Sequence, residues 1–107
     1  MFFSEENKPF LENQVDAVTR AIFVIGKKRK ISFQGAVRGL AKAEKEASFF
    51  CGFELLNNDE VYKEALKKHL IENGFIFEDA EGYAVLTLKG KNRSKKGLPP
   101  EIETCLA

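Results

Sequence analysis

The chain has no tryptophan, one histidine, two cysteines and three prolines among its 107 residues. Each scarcity closes off a class of function. Cys51 and Cys105 lie far apart with no Cys-x-x-Cys spacing, and His69 is the lone histidine, so a zinc site would lack ligands. Free thiols are the expected state of both cysteines, with a disulfide as the minor alternative. No stretch reaches the roughly 18 uninterrupted apolar residues of a membrane helix, so no membrane partner is expected. The first residues, Met1-Phe2-Phe3-Ser4-Glu5-Glu6, have neither the basic start nor the long apolar run of a secretory signal. Cys105 stands one position too late for a prenylation box, and a cytoplasmic location is the default expectation. No Gly-Lys-Ser/Thr phosphate loop, paired-carboxylate motif or metal spacing occurs, and His69 has no nucleophile or acid at a telling distance. The expectation is therefore no enzyme and no cofactor.

What is present is phenylalanine and charge. Ten phenylalanines supply large apolar area without a polar atom that needs a partner, which suits one compact core. Lysine, arginine, aspartate and glutamate make up 31% of the chain, and the net charge is only +1. Its distribution is uneven: residues 1–26 carry −2, 27–45 carry +6, 46–82 carry −6 and 83–107 carry +3. Positive charge thus gathers in a central stretch and near the C-terminus, with an acidic block between.

Leu11, Val15, Val18, Ile22 and Ile25 recur at spacings of four and three, which predicts a helix from Pro9 to about Gly26. Phe10, Ala17, Ala21 and Val24 widen its apolar arc beyond one packing partner, and Phe23 stands on the otherwise polar side. Homodimerisation through Val15, Val18, Ile22 and Phe23 would use that excess, and burial beneath Phe2 and Phe3 would use it equally well. Lys30 to Phe33 reads as a short strand leading into a second helix capped by Ser32, with Phe33, Ala36, Val37, Leu40 and Ala41 inward. Gly35 and Gly39 on one face of it suggest close packing. Ser48 to Leu56 is an apolar run that could be a buried strand or a helical turn. A third helix is predicted from about Asp59 to Asn73, with Tyr62, Ala65, Leu66, His69 and Leu70 inward and Gly74 as its stop. Phe75 to Glu78 and Tyr83 to Leu88 then read as two strands joined by a tight loop. Residues 91–107 have little apolar content and a diproline, and read as a flexible basic tail behind a domain spanning 1–90.

The order of helix, strand, helix, helix and hairpin, together with two fragments, resembles the winged helix-turn-helix group. The fragments are Leu66-Lys67-Lys68-His69-Leu70-Ile71-Glu72-Asn73-Gly74-Phe75-Ile76 and Leu86-Thr87-Leu88-Lys89-Gly90. The likeness implies an α+β fold: a winged helix with a three-helix core, a short strand and a C-terminal two-stranded β-hairpin wing. It also implies double-stranded DNA as partner, with the third helix in the major groove and the wing on the backbone or in the minor groove. The linker from Ser48 to Asn58 is longer than a tight helix-turn-helix allows.

Most of the basic residues that could meet nucleic acid fall in three groups. They are Lys27, Lys28, Arg29 and Lys30 after the first helix; Arg38, Lys42 and Lys45 on one stripe of the second; and Lys89, Lys91, Arg93, Lys95 and Lys96 near the end. Lys63, Lys67 and Lys68 on the third helix complete the set, although Glu60 and Glu64 neutralise much of that face. A small DNA-binding transcription regulator working by phosphate contacts is one expectation. The other is an interaction module whose acidic and apolar surface over 46–72 meets a protein. RNA binding by stacking on Tyr83 or Phe77 is a third.

Overall fold

The computed structural model describes residues 8–106. Among these, the chain forms helices α1 (Lys8–Gly26), α2 (Phe33–Ala47), α3 (Phe53–Asn58) and α4 (Glu60–Glu72). Strands β1 (Ile76–Glu78) and β2 (Ala84–Leu86) follow, and then helices α5 (Leu88–Ser94) and α6 (Pro100–Leu106). The strands form one antiparallel pair, with Ile76 opposite Leu86 and Glu78 opposite Ala84.

Helix α1 is the central element. Val15, Val18 and Ala21 are buried on one side, and Ala17, Ile22 and Ile25 are buried as well, so most of its circumference is covered. Its neighbours are α2, α5, α6 and β2, which accounts for an apolar arc wider than one partner needs. That resolves the excess on α1: Val15, Val18 and Ile22 are consumed by the chain's own core, and only Phe23 keeps accessible surface. The first three therefore have no surface to offer a second copy, while Phe2 and Phe3 lie outside the described residues.

The local signals at the helix ends act as their chemistry requires. Ser32 caps α2 by accepting from the Gly35 amide at 2.9 Å, and Asp59 caps α4 by accepting from the Tyr62 amide at 3.0 Å. Gly74 has φ of 75°, the left-handed turn that stops α4 and starts the hairpin. Part of the apolar run after Ser48 becomes the short α3, started by Gly52 at φ 84°. Glu44 of α2 holds this corner: its buried carboxylate accepts from the amides of Cys51, Gly52 at 2.7 Å and Glu54 at 2.8 Å.

The winged-helix expectation is not what the chain builds. Among the described residues, six helices and two three-residue strands replace a three-helix core with a terminal wing, and the hairpin is followed by two further helices. The predicted strand at Lys30–Phe33 is reduced to one ladder-like bond, from the Ala84 amide to the Ile31 carbonyl at 2.8 Å. The second hairpin strand stops early because Thr87 turns the chain into α5, accepting from the Gly90 amide at 3.0 Å and donating to the Gly74 carbonyl. Residues 91–107 do not form a free tail over the described part: α6 lays Ile102 and Leu106 into the core. Arg20 of α1 fixes α6 from outside through a two-point pair with Glu103, at 2.7 and 3.0 Å. No helix among the described residues is long and apolar enough to cross a membrane.

Candidate functional site

Folding sorts the fifteen expected cationic contacts into three kinds. Several are engaged within the chain. Arg93 of α5 pairs with Glu12 and Asp16 of α1, and Lys96 lies 3.6 Å from Asp16 as well. Lys63, expected on the outward face of the third helix, is buried; its ammonium donates to the Asn57 carbonyl at 2.8 Å and to Glu60 at 3.0 Å. Its long stem reaches back across the α3–α4 junction, so it satisfies the exposed end of α3 and cannot meet a phosphate. Lys67 lies between Glu64 and Glu78, and Lys89 donates to the Asn73 carbonyl while covering the Phe75 ring at 4.6 Å. A second kind is simply exposed: Arg38, Lys42 and Lys45 along α2, Lys68 on α4, Lys28 after α1 and Lys95 after α5.

The third kind converges. Lys27, Arg29 and Lys30 leave the C-terminus of α1, where the helix dipole favours cations, and Lys91 comes from α5. Together they edge a cleft of about 360 Å³. The turn that carries the first three is held by the Lys28 and Arg29 amides on the Ile25 carbonyl, at 3.0 and 3.2 Å. The bond from Ala84 to Ile31 then stitches that turn to β2. Ile22, Phe23, Ile31, Val85 and Leu86 supply the apolar lining, and the half-exposed Tyr83 supplies a ring on the hairpin side. Asp79, the acid lining the cleft, is occupied by the chain: its Oδ1 accepts from the Glu81 and Tyr83 amides, both at 2.9 Å.

The cations rest on the aromatic rings of the cleft. The Lys27 ammonium lies 4.5 Å from the Phe23 centroid, and that of Lys30 lies 5.7 Å from the Tyr83 centroid. Lys30 also approaches Glu81 at 3.9 Å, with both side chains about two-thirds exposed. Such a pair contributes little and yields readily to a stronger anion. Arg29 and Lys91 have no acidic partner within ion-pair distance among the described residues.

A second concavity, of about 350 Å³, lies between α1, α3 and α4. Phe50, Leu55 and Phe10 edge it and are 79%, 66% and 49% exposed. Burial, with help from the Glu44 and Glu101 carboxylates, pushes the Cys51 thiol there above its ordinary value, so it stays protonated near neutrality and is a poor nucleophile. Nowhere among the described residues do three or more His, Cys, Asp or Glu gather as a metal would need.

The sequence contained both halves of the basic cleft without any sign that they meet. Tyr83 stands out as a stacking residue and Phe23 as an exposed aromatic, yet more than fifty residues separate the turn after α1 from Tyr83. The apolar groove had a clearer signal, since Ser48 to Leu56 holds more apolar side chains than a six-residue helix can bury. No family model matches the chain, and no curated protein or solved structure is similar to it.

Proposed function

We propose that this protein binds nucleic acid by its phosphates through the basic cleft between the α1–α2 turn and the hairpin. The observation that carries the reading is the convergence of Lys27, Arg29, Lys30 and Lys91 from distant parts of the chain around Tyr83, four cations against two nearby acids, Asp79, whose carboxylate accepts from backbone amides, and Glu81, 3.9 Å from Lys30. Cations that serve only to solvate a turn need not converge on a cleft. Four phosphate contacts give a slope of roughly −3.5 in log K against log salt on duplex DNA. That is shallower than a reading in which every basic cluster participates, because Arg93, Lys63 and Lys67 are bound within the fold.

Fluorescence anisotropy with a random-sequence labelled DNA, as duplex and as separate strand, from about 50 to 200 mM salt tests this. Salt-sensitive binding that weakens in an Arg29→Gln/Lys91→Gln variant is the expected result. Absence of binding by either form at the lowest salt would overturn it.

A second reading is favoured by the exposed Phe50 and Leu55 beside the apolar groove, which fall within the 46–72 segment. Large exposed apolar side chains around a concavity suit a protein partner of apolar surface. Association through that groove would be nearly indifferent to salt and would be lost in Phe50→Ser.

A further inference from the structure

We infer that the strand taken by the basic cleft is single, with a base entering the cleft to stack on Tyr83 while Arg29, Lys30 and Lys91 hold the adjoining phosphates. This rests on the nucleic-acid reading and goes beyond it in naming the form bound.

The lining is the first reason. A site for phosphates alone has no use for an apolar lining, yet the part-buried Ile31 and Val85 line the cleft together with the cations. A base has an apolar π-face and a charged backbone attached to it, and the cleft offers the complement of both. In a duplex the faces of the bases are stacked away and only phosphates and edges are presented.

The cover of Tyr83 is the second. Its ring carries the Lys30 ammonium at 5.7 Å, on a side chain about two-thirds exposed. An exposed lysine moves at small cost, so an incoming base can take the ring while the ammonium shifts to the phosphate beside it. Asp79 holds the Tyr83 amide, so the ring is presented from a fixed backbone and little order has to be gained on binding.

The shape of the alternative is the third reason. Reading a duplex requires an element that protrudes into a groove. The helix best placed by sequence for that role, α4, exposes Glu60 and Glu64, buries Lys63 and ties Lys67 to Glu78. The convergent cations edge a hollow instead, and a hollow receives a base that comes to it.

The test uses the tyrosines as their own reporter, because the chain has two, Tyr62 and Tyr83, and no tryptophan. In a Tyr62→Phe variant all intrinsic tyrosine emission comes from Tyr83. Titration with oligothymidylate at low salt should quench that emission, and an equal-length duplex should not. Tyr83→Leu, which keeps apolar volume but removes the π-face, should lower affinity for the single strand at least about fivefold and affinity for the duplex by much less. Circular dichroism confirms that each variant is folded, and if Tyr83→Leu is not, the quenching experiment decides alone. Equal binding of both forms without quenching would overturn the single-strand inference and leave the phosphate-binding reading standing. Binding of neither form would overturn both.

Discussion

Gly90 shows how a single residue can be fixed by the backbone of a distant one. A Cβ built there falls far inside contact distance of the Phe75 carbonyl oxygen, which belongs to the turn between α4 and β1. Backbone cannot step aside as a flexible side chain can, so Gly90→Ala is expected to cost about 1–3 kcal/mol. Gly26 is the control. Nothing lies within 4 Å of its added Cβ and its φ is not in the left-handed region, so urea titrations of the two variants should find Gly26→Ala neutral or slightly stabilising. A Gly90→Ala protein as stable as the parent would show that α5 can slide off the turn. Glu44 is the polar counterpart. Its carboxylate answers three amides at the start of α3, so Glu44→Ala leaves them unpaired and should cost about 2 kcal/mol or more. Faster amide exchange confined to Cys51, Gly52 and Glu54 would locate the loss. The glycine after Thr87 is plain in the sequence, but its reason is not, since Phe75 is fifteen residues away.

At the scale of elements, the attachment of α6 carries a pH dependence with a definite sign. The hydrogen bonds from Arg20 hold the Glu103 carboxyl below its ordinary value of 4.5, against the opposing pull of burial. The unfolded chain therefore takes up the proton first as pH falls. The pair's contribution is complete above that ordinary value and is lost as pH drops through the lower value of the folded state. Thermal denaturation should find Glu103→Gln less stable than the parent near pH 7, by about 1 kcal/mol for a part-buried pair, with the difference closing as pH falls below 4.5. A gap that persists in acid would mean that Glu103 acts by packing. Helices α1, α2 and α4 are legible in sequence because apolar periodicity and capping residues are local signals. α5 and α6 are not. Leu88–Ser94 has seven residues, four of them Lys, Asn or Arg, and α6 contributes two buried side chains, Ile102 and Leu106, too few to set a period. Such short helices are stable only because α1 and α2 offer surfaces to receive them.

For the whole molecule, the radius of gyration of 12.7 Å matches the roughly 13 Å of a compact domain of this length. Residues 91–106 are thus part of the globule and not an appendage to it. The same packing decides which charges are available outside. Arg93 cannot serve a phosphate without breaking its pairs with Glu12 and Asp16, so Arg93→Gln should reduce stability far more than any nucleic-acid affinity of the folded protein. Arg29→Gln should do the reverse, leaving the urea midpoint unchanged while lowering affinity and making the salt slope shallower by about 1. If Arg93→Gln instead lowered affinity as Arg29→Gln does, the cleft would not be the site.

The sequence by itself determined the places of α1, α2, α4 and the hairpin, along with most of the buried side chains on them. Those features depend on neighbours three or four residues apart, on caps and on a left-handed glycine, all of which are local. Only the tertiary structure decided that α1 is enclosed on most of its circumference and that the terminal segment folds onto α1 and α2. It alone decided which lysines are spent within the chain and which face outward. These outcomes depend on contacts between residues tens of positions apart, such as Arg20 with Glu103, Arg93 with Asp16 and Ala84 with Ile31. A charge is identical in the sequence whether or not an opposite charge will meet it, and the meeting is made by packing.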